Sequence, residues 1–369
     1  MTDAPVPNQG LSSSQQSSNR CRLGRRLRWR PTSAAHLAAA ETRVLQHVKS
    51  KVDRLYVPIS NDRRIWTLKV DSQNTEALPI VLIHGFGAGV GFWLLNIDAF
   101  AKHRAVYAFD VLGFGQSSRP KFNTNADAVE EEFVNSIEEW REGVGLEKFI
   151  LLGHSFGGFL AASYSIKHPD RVKHLILADP WGFPERTEEA AEEQRAQIPD
   201  WMRAIGSILL RFNPLSPFRA AGPWGPRLIR KARPDLQAKF TDAFEDFTII
   251  DYLYHCNAQP PSAETAFGHL QVPYGFARNA MLPRMSQLRE DVPITFIFGG
   301  ESWMDSRPGK QTEILRKDSY VDVMYIRDAG HHVYADRPDR FNGKVVWVCN
   351  HADRLHQAET RETIMETSM

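Results

Sequence analysis

Six short apolar runs, separated by longer amphipathic or polar stretches, dominate the chain after about Trp66. They are LPIVLIHGF, AVYAFDVLG, KFILLGHS, VKHLILAD, VPITFIFGG and VDVMYIRDAG. Nearly continuous apolar content over such short lengths is typical of parallel strands that are buried on both faces. Each run is therefore predicted to be a strand of one sheet.

Helical periodicity lies between the predicted strands. In VEEEFVNSIEEWREGV, the apolar residues Phe133, Ile137 and Trp140 recur at helical spacing among glutamates, which indicates an amphipathic crossover helix. Strands that alternate with helices predict an α/β fold with a doubly wound, mostly parallel sheet.

The alternation stops between about Pro184 and Pro293, where prolines, aromatic residues and arginines are frequent and no run resembles a buried strand. A stretch of about a hundred residues is too long for a plain loop in a compact domain. We therefore predict a helical cap at residues 184–290, inserted into a core formed by residues 32–183 and 291–357. The flanking segments, 1–31 and 358–369, are predicted to be disordered.

Composition excludes several classes of protein. A hydrophobic content of 42% supports a substantial core, and a formal net charge of +1 argues against nucleic acid as a partner. The three cysteines, Cys21, Cys256 and Cys349, are widely spaced and odd in number. This pattern favours a reducing compartment and provides no zinc-binding spacing, so neither a metal nor another cofactor is expected.

The N-terminal segment carries a local basic cluster. No apolar stretch near the start resembles a secretory signal, whereas CRLGRRLRWRPTS places five arginines around Trp29. One interpretation is a solvated linker. The other is an interfacial anchor, with arginines at lipid headgroups and Trp29 at the boundary. The sequence leaves both interpretations open.

A candidate nucleophile follows the third predicted strand. Gly153-His154-Ser155-Phe156-Gly157 lies between an apolar run and an apolar helix, which is the context that a Gly-x-Ser-x-Gly elbow requires. The turn would lift the Ser155 hydroxyl above the sheet, and the backbone N–H of Phe156 would stabilise an oxyanion at the helix N-terminus. The alternative is a glycine-rich turn without chemistry.

The partners of Ser155 should follow in the order acid, then histidine. His331, after the last predicted strand, is the favoured general base, with the adjacent His332 as the alternative. Asp305, in the loop after VPITFIFGG, is the favoured acid because it has room to reach the imidazole. Asp179, at the end of VKHLILAD, is the rival; it could instead be a strand-end carboxylate that holds the next turn.

A second oxyanion donor is expected from the loop after an early strand. His84-Gly85-Phe86-Gly87 follows LPIVLI, and the backbone N–H of Phe86 is the candidate. The alternative is a loop whose glycines only allow the backbone to pass close to its neighbours.

Over roughly residues 78–353 the chain resembles the α/β-hydrolase superfamily. It is most similar to the branch of α/β-hydrolase domain-containing proteins 4 and 5. The motifs that carry this resemblance are WRPTS, HGFGAGVGFW, LGFGQSSRP, SIEEWRE, SYSIKHPDRVKHLILADPWGFPER, YHCNAQPPSAETAF and HHVYAD. They lie in the predicted core and the predicted cap alike.

The resemblance implies a lipid-hydrolysing serine enzyme. One branch member, a lipase co-activator, has asparagine in place of the elbow serine, so Ser155 makes this chain more similar to member 4. The implied activity removes an O-acyl chain from glycerophospholipids or lysophospholipids, as a lysophospholipase or N-acylphospholipid lipase acting in lipid homeostasis. The implied triad is Ser155, Asp305 and His331.

Two alternatives accompany this reading. His331 and Asp336 form a His-x-x-x-x-Asp motif that in this branch is associated with acyl-CoA-dependent acylation of lysophosphatidic acid to phosphatidic acid. Asp336 could instead cap a helix that starts near Pro338. The other alternative is a non-catalytic lipase co-activator at lipid droplets. The expected location is cytoplasmic and peripheral on membranes or lipid droplets, with the mitochondrion as a further option.

Overall fold

A computed structural model describes residues 32–189, 191–192, 215–232, 234–241 and 243–367. The predicted disordered segment 1–31 lies outside these residues. The strands are β1 (Asp53–Ile59), β2 (Arg63–Val70), β3 (Ile80–Ile83), β4 (Val106–Phe109), β5 (Phe149–His154), β6 (Val172–Ala178), β7 (Gln271–Val272), β8 (Phe276–Ala277), β9 (Ile294–Gly299) and β10 (Val321–Ile326). The α-helices are α1 (Ala34–Leu45), α2 (Ile97–Ala101), α3 (Ala126–Val144), α4 (Phe156–Lys167), α5 (Ser216–Ala221), α6 (Gly225–Ala232), α7 (Pro234–Lys239), α8 (Thr248–Asn257), α9 (Ala263–Leu270), α10 (Arg307–Leu315), α11 (Val333–Asp336) and α12 (Pro338–Thr367).

The main sheet has the strand order β1-β2-β4-β3-β5-β6-β9-β10. From β4 to β10 neighbouring strands are parallel, and β1 and β2 add an antiparallel hairpin at one edge. Each of the six predicted strands is present. The predicted fold class, a doubly wound and mostly parallel sheet, is confirmed.

The two faces of the sheet support two separate cores. Along β3, Ile80 and Leu82 pack with α1, α2 and α12, whereas Val81 and Ile83 pack with α3 and α4. Because side chains alternate between the faces of a strand, a strand covered on both sides must be apolar at every position. This explains why β3, β4 and β5 are buried along their whole lengths.

The predicted crossover helix corresponds to α3. Its N-cap residue Asn125 accepts a hydrogen bond from the Ala128 N–H (3.0 Å), and it ends at Gly145, whose φ of 70° lies in the left-handed region. Phe133, Ile137 and Trp140 are fully buried against the sheet. The cap at one end and the glycine at the other therefore delimit the amphipathic segment.

Two strands of the main sheet were not predicted, and one sequence-based boundary is wrong. β1 and β2 precede the six predicted strands; in β1 only Val57 is buried, and an exposed edge strand lacks a continuous apolar run. The tail predicted to be disordered at 358–369 is helical through Thr367, as part of α12. This stretch contains neither glycine nor proline to end the helix, and Glu359 forms an ion pair with Lys173 on β6 (2.5 Å).

The region between β6 and β9 lies against the loops at the carboxyl ends of the parallel strands. Its described part consists of α5 to α9 and the β7–β8 ribbon. Asn257 and Ser262 donate hydrogen bonds to Gly87 O (2.7 Å) and Pro120 O (2.6 Å), which belong to loops of the core. The exact extent of the cap, 184–290, stays a prediction. In the part of the chain that the structure describes, no helix combines the length and apolarity needed to cross a bilayer.

Candidate active site

Ser155 lies in a strained turn between β5 and α4. Its backbone has φ 54° and ψ −119°, a conformation that costs a serine about 1–3 kcal/mol and is tolerated only where the surroundings impose it. A Cβ atom on Gly153 would lie 2.2 Å from Gly157 O, and one on Gly157 would lie 2.4 Å from Ile83 O. Both glycines are therefore required by close backbone approach, as in a nucleophile elbow.

His331 connects Ser155 to a carboxylate. Its Nε2 lies 3.0 Å from Ser155 Oγ, and its Nδ1 lies 2.7 Å from Asp179 Oδ2. Because a carboxylate only accepts, Nδ1 carries the proton, and Nε2 is left to accept the hydrogen bond from the serine hydroxyl. The three side chains, distant in sequence, form the hydrogen-bonded chain from which a serine hydrolase draws its nucleophile.

Asp179 is a fully buried carboxyl directly after β6. It accepts hydrogen bonds from the Gly299 N–H (3.2 Å) and the Ser302 hydroxyl (2.5 Å), in addition to its contact with His331. Burial raises the pKa of Asp179 to about 7, against the opposing effect of these two donors. Since burial penalises the charge most when no cation is near, protonation of His331 favours the ionised form of Asp179.

The prediction that Asp305 orients His331 is wrong. The Asp305 carboxylate instead accepts hydrogen bonds from the Arg307 backbone N–H (2.9 Å) and the Arg307 guanidinium (2.9 and 3.0 Å), at the start of α10. Both ring nitrogens of His331 are already engaged by Ser155 and Asp179. Asp179, the rival in sequence, takes the place of the acid.

His331, and not its neighbour, lies between the serine and the acid. The ring of His332 packs beside His154 (ring centroids 5.6 Å apart) and Tyr334 (6.0 Å), outside the hydrogen-bonded path from Ser155 to Asp179. The choice of His331 over His332 therefore agrees with the geometry.

His154 and Ser302 support the site and were missed by sequence reasoning. His154 Nε2 lies 2.9 Å from His331 O, and burial lowers the pKa of His154 to about 3, so this ring is neutral and donates its proton to the carbonyl. His154 thereby holds the backbone of His331, and Ser302 orients Asp179. A possible signal existed for each: His154 is inside the elbow motif, and Ser302 follows a buried strand closely.

The loop after β3 runs beside the elbow. A Cβ on Gly85 would lie 3.1 Å from Ser155 Cβ, which places the neighbouring Phe86 close to the nucleophile. Phe156 is the first residue of α4, so its N–H precedes the helical hydrogen-bond ladder. The roles of the Phe86 and Phe156 amides as oxyanion donors stay predictions, with a loop position and a helix terminus that suit them.

The loop from Gly85 to Trp93, which we call the oxyanion loop, is held by three buried side chains. Asp110 accepts from the Val90 N–H (2.8 Å), Tyr252 Oη accepts from the Gly91 N–H (3.1 Å), and Asn257 donates to Gly87 O. Tyr252 and Asn257 belong to α8, so this helix fixes the loop from outside the sheet.

An aromatic wall adjoins Ser155. Phe267 on α9 lies with its ring centroid 4.6 Å from Phe86, 5.0 Å from Phe156 and 4.7 Å from Trp181. The side chains of both predicted oxyanion residues therefore belong to an aromatic cluster next to the nucleophile, in which Phe156 and Trp181 are buried and Phe86 and Phe267 are half-buried. The half-buried rings suit a hydrocarbon chain better than a polar ligand.

Asp336 links the loop of His331 to the cap. One carboxylate oxygen accepts from the Gly330 N–H (2.9 Å), and the other forms an ion pair with Lys239 on α7. The carboxylate is thus engaged by Gly330 and Lys239 and does not point to the start of α12 as a helix cap would. Within the described residues, no group of three or more His, Cys, Asp or Glu side chains is arranged to hold a metal ion.

Comparison with known proteins places the chain in a family. Residues 79–338 match the model of the alpha/beta hydrolase fold. The chain is 51% identical over 322 residues to (lyso)-N-acylphosphatidylethanolamine lipase from Homo sapiens. The matched residues make up 87% of this chain and 94% of the lipase. It is 50% identical over 322 residues to 1-acylglycerol-3-phosphate O-acyltransferase ABHD5 from Sus scrofa, covering 87% and 92%.

Solved structures agree at the level of the fold. The naproxen esterase from Bacillus subtilis superimposes with a TM-score of 0.59 at 15% sequence identity, covering 85% of this chain and 97% of the esterase. The elbow, the sheet topology and the two relatives at half identity lead to one conclusion. The chain belongs to the alpha/beta hydrolase fold family.

Proposed function

We propose that the protein is a serine hydrolase that removes an acyl chain from glycerophospholipids, of the lysophospholipase or N-acylphospholipid lipase type. The observation that carries the proposal is the hydrogen-bonded chain from Ser155 through His331 to Asp179. The relative that is 51% identical bears the name (lyso)-N-acylphosphatidylethanolamine lipase, which supports this substrate class.

Acylation of the enzyme follows from the positions of the three side chains. His331 Nε2 takes the proton of Ser155, and Oγ attacks the ester carbonyl carbon to form a tetrahedral intermediate. The Phe86 and Phe156 amides would receive the negative charge on the former carbonyl oxygen, a contribution worth about 10²–10³ in turnover per donor. Asp179 stabilises the imidazolium that forms at this step.

Acylation is completed when His331 gives its proton to the departing glycerol oxygen, the carbon–oxygen bond of the ester breaks, and the acyl group stays on Ser155. Deacylation follows. His331 then deprotonates a water molecule, whose oxygen attacks the acyl-enzyme, and the fatty acid leaves as the proton returns to Ser155. The aromatic wall around Phe267 would hold the acyl chain during both steps.

Acyl transfer is the second candidate activity. A relative that is 50% identical is named 1-acylglycerol-3-phosphate O-acyltransferase ABHD5. The same acyl-enzyme would then form from acyl-CoA, and the hydroxyl of lysophosphatidic acid would replace water as the acceptor. Either activity would use a substrate that resides in membranes or lipid droplets, so we infer peripheral attachment to such surfaces. A non-catalytic co-activator is the least favoured function, because it has no need of the Ser155–His331–Asp179 chain.

Covalent labelling tests the proposal. A fluorophosphonate should label the wild type at Ser155, Ser155→Ala should lose the label, and the control Ser286→Ala, at an exposed position, should keep it. A folded wild type that stays unlabelled would contradict the proposal. Activity of the wild type and Ser155→Ala against lysophospholipids, N-acylphospholipids and, with labelled acyl-CoA, lysophosphatidic acid separates hydrolysis from transfer.

A further inference from the structure

Helix α6 presents an unusual outer face. Its inner side packs into the cap: Ile229 is buried, and a Cβ on Gly225 would lie 1.9 Å from the ring of Tyr254 on α8. Helical spacing places Trp224 and Leu228 together on the opposite side, where they are 63% and 40% exposed. Large apolar side chains side by side in water indicate a contact surface.

Basic residues surround these apolar side chains. Arg227 and Lys231 lie on the same side of the helix as Trp224 and Leu228, and both are exposed. The Arg230 guanidinium lies 4.5 Å from the ring centroid of Phe247, a further large apolar side chain that is 40% exposed. We call Trp224, Arg227, Leu228, Arg230, Lys231 and Phe247 the α6 surface.

The charge of the α6 surface is local. The sequence of α6, GPRLIRKA, has three basic residues and no acidic one, whereas the whole chain has a formal net charge of +1. Exposed tryptophan and leucine flanked by arginine and lysine are typical of a helix that lies in the headgroup region of a bilayer. The positive charge favours a bilayer with anionic lipids.

Contacts of the neighbouring helices α7 and α8 connect the α6 surface with the active site. Helix α6 is followed by α7, whose Lys239 pairs with Asp336 beside the loop of His331. It also packs on α8, the helix that holds the oxyanion loop through Asn257. A bilayer at the α6 surface would therefore contact the same helical layer that adjoins the catalytic groups.

The first described residue contacts helix α8. Thr32, the first described residue, has Oγ1 2.7 Å from His255 Nδ1 and accepts a hydrogen bond from Gln259 (3.2 Å). His255 belongs to α8 and follows Tyr254, on which α6 packs. The described chain therefore begins beside the helix on which α6 packs.

We propose that the α6 surface docks the protein on an anionic phospholipid bilayer, with Trp224, Leu228 and Phe247 in the headgroup region and the basic residues at lipid phosphates. This inference rests on the proposed function in that the bilayer supplies the glycerophospholipid substrate. Docking itself requires no catalysis.

Vesicle binding tests the α6 surface. The full chain, as Ser155→Ala to prevent lipid turnover, is sedimented with phosphatidylcholine vesicles that contain or lack phosphatidylserine. Removal of two charges by Arg227→Gln with Lys231→Gln should weaken binding to the anionic vesicles roughly 25-fold, since each basic residue near the surface contributes about fivefold. Leu228→Gln should weaken binding to both kinds of vesicle several-fold.

A matched control is available on α12. Arg340 and Lys344 are near Trp347, which is 52% exposed, so Arg340→Gln with Lys344→Gln removes the same charge beside a similar aromatic residue. This pair should bind like the parent protein. Equal weakening by both pairs, or no weakening by the α6 pair and by Leu228→Gln, would overturn the proposal. Binding that does not depend on phosphatidylserine would overturn its anionic character.

The two proposals fail in different ways. If fluorophosphonate labels Ser155 in the wild type and the α6 variants still bind vesicles normally, the docking surface is wrong and the hydrolase stands. If the wild type stays unlabelled and vesicle binding depends on α6, the hydrolase is wrong and the docking surface stands. An unchanged thermal unfolding midpoint confirms that the exposed substitutions leave the fold intact.

Discussion

Asp179 must be ionised when His331 is protonated, yet it is completely buried. Three hydrogen-bond donors, His331, Ser302 and the Gly299 N–H, surround the carboxylate and stabilise its charge. The backbone of Asp179 also has a φ of 46°, in the left-handed region, which aspartate tolerates better than most residues. At the scale of the residue, the acid is held by its backbone and its neighbours together.

Substitution of the two candidate acids should give opposite results. Asp179→Asn should lower kcat for ester hydrolysis by about 10⁴, because the amide donates to His331 Nδ1 and imposes the wrong tautomer. Asp305→Asn should leave kcat within about twofold of the wild type, since it changes only a contact with Arg307. Steady-state kinetics with a soluble ester measures both. A large loss in Asp305→Asn with activity retained in Asp179→Asn would reverse the assignment.

The stability of Asp179→Asn should depend on pH. Burial raises the pKa of Asp179 from 3.8 to about 7, so the folded protein loses stability from this group as the pH rises from about 4 to about 7, and the loss stays constant above that. Relative to the wild type, the asparagine variant should gain stability at alkaline pH even though it loses activity.

Ser155 and His331 could be predicted from sequence because each is in a local context that few other residues share: an elbow after a buried strand, and a loop after the last strand. Asp179 and Asp305 both follow buried strands in the required order, between the nucleophile and the histidine. Only the three-dimensional paths of the loops decide between them. In the fold, the loop with Asp305 turns into α10, and β6 ends directly below His331.

At the scale of the element, a few polar side chains connect the cap helices with the catalytic loops. Helix α8 holds the oxyanion loop through Tyr252 and Asn257, and α7 reaches the His331 loop through Lys239 and Asp336. These contacts could not be predicted from the hydrophobic periodicity of the sequence, since each joins residues far apart in the chain. A helical insertion could be predicted from the missing strands, but its contacts with the catalytic loops could not.

Substitutions of Asp336 and Lys239 can distinguish whether Asp336 positions the His331 loop or acts specifically in acyl transfer. Asp336→Ala removes the acceptor of the Gly330 N–H beside His331, so soluble-ester hydrolysis and acyl transfer should both fall, by roughly 10–100-fold in kcat. Lys239→Met removes only the ion pair and keeps the Gly330 hydrogen bond, so soluble-ester hydrolysis should be retained. Parallel assays of both reactions measure the two variants. Loss of transfer alone in Asp336→Ala would show a dedicated role in that reaction.

At the scale of the whole molecule, a buried carboxyl on α1 is hydrogen-bonded to the sheet and lies within electrostatic range of a second buried carboxyl. Glu41 on α1 accepts a hydrogen bond from Trp66 Nε1 (2.8 Å), and its charge interacts with that of Asp110 after β4. Burial raises the pKa of Glu41 to about 8 and that of Asp110 to about 7. The folded protein therefore holds protons that the unfolded chain releases near pH 4.

This proton uptake contributes to the pH dependence of stability. Glu41 and Asp110 each lower the free energy of unfolding as the pH rises from about 4 to about 8, because the folded state keeps protons on these two carboxyls that the unfolded chain releases. Glu41→Gln removes one of the two groups, so it should be more stable than the wild type at alkaline pH, by a difference on the order of 2 kcal/mol, and nearly equal at pH near 5. Urea unfolding at both pH values measures this difference. Parallel curves for the wild type and Glu41→Gln would contradict the prediction, and the exposed Glu76→Gln is the control.

The fold class was predictable at this scale because strands covered on both faces are nearly continuous in apolar residues, as β3 to β6 and β9 are. The β1–β2 hairpin and the end of α12 were not predictable in the same way. Strand β1 and the end of α12 are largely exposed, and β2 alternates buried with less buried positions, so packing against distant parts of the chain, and not a continuous apolar run, defines them.

The backbone at Ser155 has a further evolutionary consequence. Its positive φ is imposed by the hydrogen bonds and close packing around the turn, and it would persist whatever side chain stood there. Glycine at this position would relieve the strain while abolishing the nucleophile. Selection for catalytic activity and selection for folding stability therefore favour different residues at position 155. A homologue that no longer needs the reaction would gain stability by replacing the serine with glycine.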